Sequence, residues 1–325
     1  MRNRQVPNSP VPLMNLIGRV IMAFMPITPK ALVRFFSRRY VAGTELHHAI
    51  KVMEDMADEK TSFTVDVLGE DITSIEETRR FVTEYQDLIK AISTSNIDAH
   101  ISLKPTAFGL DIDYDYALST VSDLAKLASG FDIFVRLDME DSNHTESTLR
   151  MTEDLHKMGH RNTGVVLQGR LFRTMGDLER LSVSLGPDAD VRICKGIYLE
   201  HPDIAYTGYH DIVRATSAAV SKALDLGMYV GVASHDHPVI NSAIKSLDER
   251  DFEFPGQDPR EPAPTKRKGK GNGYEFQFLL GVRGDVRRRL ASEGHLTRVY
   301  LPYGEQWYEY SLSLIHISEP TRQAT

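Results

Sequence analysis

Phe63-Thr64-Val65-Asp66-Val67-Leu68-Gly69 reads as a β-strand, a run of aromatic and β-branched residues that ends on a glycine. Beyond it, Ser74 to Ile92 has a helical pattern. The same pair of signals recurs down the chain. Strand-like runs follow at Asp98 to Lys104, Asp132 to Met139, Thr163 to Gly169, Val191 to Gly196, Met228 to Ser234, Tyr274 to Gly281 and Thr297 to Pro302. Helical stretches such as Asp211 to Leu226 lie between them. Eight β-then-α units predict a parallel sheet, because each helix returns the chain to start the next strand in the same direction. Closure into a TIM-like (βα)8 barrel is the expected architecture of this α/β chain. The alternative is a doubly wound open sheet, and no glycine-rich dinucleotide fingerprint follows the first strand to support it.

The chain has 325 residues, which fits one barrel of about 250 residues with extra segments. We divide it into an N-terminal helical segment at 1–45, a barrel at 46–310 and an atypical tail at 311–325. Met14 to Phe36 reads as two short amphipathic helices split near Pro26 and Pro29, expected to pack on the barrel. Arg34, Arg38 and Arg39 follow that apolar stretch and leave a peripheral membrane contact open. Arg19 interrupts it, so no apolar run reaches the roughly 20 residues that a membrane span requires. A net charge of -7 argues against a nucleic-acid partner. The single cysteine, Cys194, excludes an internal disulfide, suits a reducing compartment and is expected to be a buried packing residue. Asp251 to Asn272 is rich in Pro, Gly and Lys, so it is expected to be a mobile, solvated surface loop.

In a barrel of this kind the C-terminal strand ends face the active site. Near those ends stand Lys104, Asp138, Gln168, Arg192, Lys195, Tyr198, Ser234, His235 and Glu275, with Tyr300 inside the last strand. Buried charges require partners or a ligand, so a Lys, an Asp, a Gln, an Arg and a His around one ring point to a site. No metal set stands out. His235 and His237 flank Asp236, but no second cluster completes a coordination sphere.

Arg192-Ile193-Cys194-Lys195-Gly196-Ile197-Tyr198-Leu199-Glu200 resembles the fifth-strand motif of the proline dehydrogenase family. Ser102-Leu103-Lys104-Pro105-Thr106, Arg136-Leu137-Asp138-Met139-Glu140-Asp141, Val166-Leu167-Gln168-Gly169 and Ala233-Ser234-His235-Asp236 match in the correct order. Tyr274-Glu275-Phe276-Gln277 and Arg298-Val299-Tyr300-Leu301-Pro302-Tyr303-Gly304 extend the resemblance, which covers roughly Tyr40 to Tyr310. It implies oxidation of L-proline to Δ1-pyrroline-5-carboxylate, with a hydride passed to FAD and electrons to a membrane quinone. The chain is expected to be cytoplasmic, with a peripheral contact at the inner face of the membrane left open, and because the barrel takes up nearly the whole chain a separate pyrroline-5-carboxylate dehydrogenase is expected downstream.

The same resemblance implies residue roles. Arg192 would sit near flavin N5 and C4=O, where positive charge stabilises the reduced ring. Gln168 would bond the pyrimidine edge, and Ser234 and His235 would meet the phosphate and ribose region. Gly196 would let the backbone approach the cofactor without a Cβ, and Glu275 belongs to the same cofactor-binding set. Lys104 would contact the proline carboxylate, Asp138 would hold the cationic side chains, and Tyr198, Tyr300 and Tyr310 would enclose the ring. Each has a plain structural alternative: an ion pair for Lys104, Asp138 and Arg192, a core amide or imidazole for Gln168 and His235, packing for the tyrosines. Alternation puts Lys195 on the opposite strand face from Arg192, so it is expected to be structural. Hydride transfer requires a neutral amine, alignment and little water, and no general base is assigned.

One departure stands out. The family's last helix carries Tyr followed at i+3 and i+4 by two Arg that clamp the substrate carboxylate. Here Tyr310 is followed by Ser313 and Leu314 at those positions, and Pro320 stops any helix soon after. The tail is foreign sequence joined to a truncated gene, or native to a protein inactive on proline, or another cation replaces the clamp. Arg322, the only cation in the tail, is too far along to share that face. Alternative functions are a non-catalytic FAD-binding barrel with a partner-binding role and a same-fold oxidase of hydroxyproline. A phosphate-binding metabolic barrel is more distant, since no glycine-rich phosphate loop follows strands seven or eight.

Overall fold

The computed structural model describes residues 37–69, 72–252, 269–308 and 310–311. Eight parallel strands close into a barrel in sequence order. They are β1 (Ser62–Val67), β2 (Ala99–Leu103), β3 (Val135–Leu137), β4 (Thr163–Gln168), β5 (Asp190–Cys194), β6 (Tyr229–Ala233), β7 (Tyr274–Leu279) and β8 (Thr297–Tyr303). β8 pairs back onto β1, with Thr64 opposite Tyr300 and Asp66 opposite Pro302. Helix α1 (Leu46–Asp55) precedes the barrel. Helices α2 (Ile75–Thr94), α3 (Tyr114–Ser129), α4 (Thr145–Lys157), α5 (Thr174–Leu185), α6 (Tyr209–Asp225), α7 (His237–Asp248) and α8 (Gly284–Ser292) follow β1 to β7 in turn.

Local chemistry explains these elements. Phe81, Tyr85, Leu88, Ile89 and Ile92 recur at three- and four-residue intervals, so α2 buries one continuous face. Helix α3 starts where the Asp113 carboxylate accepts the Tyr116 N–H at 3.0 Å. In the strands, alternation sends Val65, Ile101, Val135, Val165, Val191, Val230, Phe276 and Val299 to one face, where they are buried. The other face lines the barrel interior, because its side chains bond across strands that are not neighbours. Tyr300 of β8 donates to Asp138, the residue that follows β3, at 2.8 Å. Such interiors are usually filled by branched apolar residues, but here Arg136, Asp138, Gln168, Asp190, Arg192, Glu275, Gln277 and Arg298 are all buried.

Two expectations need correction. β3 covers only Val135–Leu137 instead of running from Asp132 to Met139. Asp132 has φ +58°, a left-handed turn conformation that ends the approach to the strand. The second concerns the basic run before β7. Residues 253–268 and the N-terminal helix pair lie outside the described residues, but the end of the run is not solvated. Lys270 Nζ lies 2.7 Å from Asp190 Oδ2 and about 4 Å from the ring centroids of Phe134 (4.1 Å) and Tyr229 (4.2 Å). Arg298 Nη2 donates to Gly269 O at 2.5 Å. The cause is charge balance: the buried carboxylates Asp190 and Glu275 draw in every cation within reach. Burial lowers the Lys270 ammonium to about 8, which leaves it protonated at neutral pH.

Candidate active site

The site grows from two interlocked ion pairs at the C-terminal ends of β1, β2, β3, β5 and β8. Lys104 Nζ donates to Asp66 Oδ2 at 3.0 Å, and that carboxylate is fully buried. Burial pushes the Asp66 carboxyl up, against the opposing pull of Lys104. Beside this pair, Arg192 Nη1 donates to Asp138 Oδ1 at 2.7 Å, and Ser102 Oγ donates to the same oxygen at 2.7 Å. Tyr300 OH takes the second oxygen, Asp138 Oδ2, and the Arg192 guanidinium lies 5.2 Å from the Tyr300 ring centroid. Both Asp138 oxygens are therefore committed to holding Arg192, Ser102 and Tyr300 in place. Tyr310 stands over the group: burial, then the charge of Asp66, pushes its phenol up. Lys104, Asp138, Arg192, Tyr300 and Tyr310 are thus gathered at one mouth.

Asp66 was not among the residues selected from the sequence, although a lone Asp inside Phe63 to Leu68 was the available signal. Ser102 and Glu140 were also missed. Glu140 accepts from the Thr106 N–H at 3.2 Å and the Thr106 hydroxyl at 2.5 Å, and burial raises its carboxyl to about 7. Its carbonyl accepts from Gln168 Nε2 at 2.8 Å.

FAD, which the family resemblance implies, can be tested against the unused polar atoms. Gln168 Oε1 is buried and has no hydrogen-bond partner among the described residues. Arg192 spends Nε on Gln277 and Nη1 on Asp138 and Ser102, which leaves Nη2 uncommitted among the described residues. An orphan acceptor and a free cationic donor at one mouth suit a ring with an imide edge. Gly196 has φ +96°, and a Cβ there would lie 2.6 Å from Gln168 Oε1 and 2.7 Å from Arg170 Cδ. The residues fit the group.

The other selected residues divide. Ser234 Oγ accepts from the Asp236 N–H at 3.1 Å, and Lys195 Nζ pairs with Asp236 Oδ2 at 2.7 Å beyond the end of β5. Tyr198 lies on the loop after β5, where its carbonyl accepts from Arg170 Nη1 at 2.6 Å. Cys194 is half-buried, and burial raises its thiol to about 11. Glu275 is not at the mouth. It is the second residue of β7, and its carboxylate accepts from Arg298, Tyr229 and Gln277 at 2.5–3.1 Å. It is fully buried in the lower barrel with all its capacity used, which leaves nothing for a cofactor.

His235 Nε2 accepts from the Leu279 N–H at 2.9 Å, so the imidazole is held neutral, with Nδ1 carrying the proton. Burial and the charges of Lys195 and Arg283 lower it to about 4. A folded-state value below the unfolded value of about 6.5 means that the unfolded chain binds more protons between the two. Stability from this group is present above pH 6.5 and is lost as pH falls toward 4. Without added flavin, the native chain is expected to lose about 2 kcal/mol more than His235→Gln over that window. Urea melts across the same pH range measure it, and parallel pH profiles would refute it.

A family model described as proline dehydrogenase matches residues 49–307. The chain belongs to the proline dehydrogenase family. It is 32% identical over 282 residues to proline dehydrogenase 2 of Bacillus subtilis strain 168, covering 85% of this chain and 84% of that one. It is 31% identical over 278 residues to the proline dehydrogenase of Deinococcus radiodurans, covering 84% and 83%. Among solved structures, proline utilization A of Bdellovibrio bacteriovorus inactivated by N-propargylglycine superposes with a TM-score of 0.79 at 18% identity. That match covers 97% of this chain and 36% of the longer one, and it supports the barrel fold. None of the described helices is long and apolar enough to cross a membrane.

Proposed function

We propose that this proline dehydrogenase family member binds FAD, oxidises L-proline to Δ1-pyrroline-5-carboxylate and passes the electrons to a membrane quinone, with activity impaired by its tail. One observation carries the reading: Asp138 fixes Arg192 with Nη2 uncommitted among the described residues, and on the neighbouring strand β4 the buried Gln168 Oε1 has no partner among them. Gln168, Arg192, Gly196, Ser234 and His235 would hold the cofactor. When bound, FAD supplies acceptance of a hydride, here from proline C5, while the ring nitrogen loses its proton to leave C=N. Lys104 would draw the substrate carboxylate, and Asp66 keeps its ammonium in place. Tyr300 and Tyr310 exclude water and wall the ring with their apolar faces. Phe172, Ile197, Leu199 and Ile204 are exposed on the loops after β4 and β5, at the same end of the barrel, and this supports an apolar acceptor and a peripheral membrane contact.

The family match ends at 307, and the reading of an impaired clamp rests on Ser313 and Leu314 standing where the family resemblance places an arginine pair. Purified chain is expected to carry bound flavin that stays oxidised under anaerobic titration with millimolar L-proline. Bleaching would show that the carboxylate is held without the arginine pair. Absence of bound flavin after incubation with FAD would end the flavoenzyme reading. Parallel titration with hydroxyproline separates the same-fold alternative. The non-catalytic flavin barrel rests on the same missing pair, and resequencing the gene beyond the Tyr310 codon distinguishes it from the enzyme.

A further inference from the structure

Gln277 has no role in the account above, yet it lies between the lower and upper halves of the barrel interior. Its Oε1 accepts from Arg192 Nε at 2.5 Å, and its Nε2 donates to Glu275 Oε1 at 2.5 Å. An amide normally has two orientations, but here only one fits. Glu275 is held as a carboxylate: Arg298 and Lys270 outweigh burial and keep it below the usual range. A carboxylate only accepts and a guanidinium only donates, so the amide must present nitrogen downward and oxygen upward. Strand order makes this contact unusual. Gln277 is on β7 and Arg192 is on β5, with β6 between them. The two meet because the intervening position, opposite Arg192 on β6, is Gly231. A Cβ at Gly231 would lie 2.5 Å from Gln277 Nε2 and 3.0 Å from its Cδ.

We propose that Gln277 is a positioning residue for Arg192, oriented by the Arg298–Glu275 pair and admitted across β6 by Gly231. This rests on the reading of Arg192 as a flavin contact. The lower charge cluster then fixes the height and rotation of the one guanidinium nitrogen left free at the mouth. Asp138 holds Arg192 from one side through Nη1, and Gln277 holds it from the other through Nε. Loss of either leaves the guanidinium free to swing about the remaining contact.

Gly231→Ala is the sharper test. Its new Cβ meets the end of a flexible side chain, so the amide moves while the barrel remains folded. Gln277→Leu is the second variant, and it keeps the Arg298–Glu275 pair. With 15N-arginine labelling of the full chain, and Arg192→Lys to assign the signal, the Arg192 Nε–H is expected to exchange slowly with solvent. Both variants should exchange at least about tenfold faster, the loss of one protecting bond. Unchanged protection in either variant would overturn the proposal, whether or not flavin binds. On the FAD-loaded protein, sulfite affinity reports positive charge at the flavin and should fall about tenfold in both variants. Faster exchange with unchanged sulfite affinity would refute the positioning role. A parent chain that takes up no FAD defeats the proposed function, and the exchange measurement still decides the contact.

Discussion

Asp138→Ala is expected to lower the melting temperature by about 10 °C and to strip the chain of flavin at concentrations where the parent retains it. The reason is the number of donors that Asp138 serves. Its two oxygens accept from Arg192 Nη1, Ser102 Oγ and Tyr300 OH at 2.7–2.8 Å, all in the barrel interior. Truncation removes the counter-charge of a buried guanidinium, which costs about 3–5 kcal/mol. The net worth of the pair is much smaller, because both ions gave up water to form it. A double variant, Asp138→Ala with Arg192→Met, should therefore be more stable than Asp138→Ala alone, a strong coupling between touching residues. Asp138→Asn should fall between them, since it keeps an acceptor and loses the charge. Thermal melts of these four proteins and of Arg192→Met alone, without added flavin, decide the matter. Additive losses in the double variant would mean that the two residues act independently and that the geometry at the mouth is not held by charge.

The strands were legible because each combines β-branched residues with a glycine or polar stop, and alternation is a local property. Seven of the eight lie within two residues of their expected ends and β3 within three, a normal uncertainty for boundaries. Alternation also shows which side chains face inward, and so it finds Lys104, Asp138, Gln168 and Arg192. It does not show height. Glu275 and Gln277 are two residues apart on β7 and both point inward, but one joins the lower charge cluster and the other reaches Arg192. Height is set by the stagger of all eight strands at closure, a property of no single segment. The same non-local cause hid Asp66, whose partner Lys104 is 38 residues away, and Lys270, which precedes β7 while its partner Asp190 opens β5. Gly231 is the subtlest case. In sequence it is one glycine in a strand, and its purpose becomes visible only when Gln277 is seen reaching over it.

Restoring arginine at both Ser313 and Leu314 is expected to raise kcat/KM for L-proline by about two to four orders of magnitude, the equivalent of about 3–5 kcal/mol from a buried carboxylate clamp. Lys104 is committed to Asp66 at 3.0 Å, and Arg192 to Asp138 at 2.7 Å, so neither brings a whole unbalanced charge to the substrate. The paired guanidiniums that the family places after the tyrosine would supply that charge. A fork of parallel donors matches a carboxylate, so a Lys-Lys pair at the same positions should recover less than Arg-Arg. The clamp holds the carboxylate before and during hydride loss, so most of the gain should appear in KM, with a kcat component from better aim of C5–H. Flavin content should not change, because the proposed cofactor-binding residues lie upstream. Pyrrolidine supplies the control: it has the same ring and the same C5–H but no carboxylate. The doubly restored chain should gain on L-proline and stay level on pyrrolidine. An equal gain on both would mean that the arginines reorder the last helix and do not hold the substrate. No gain on either, with flavin bound, would mean that the residues at 313 and 314 do not limit proline turnover.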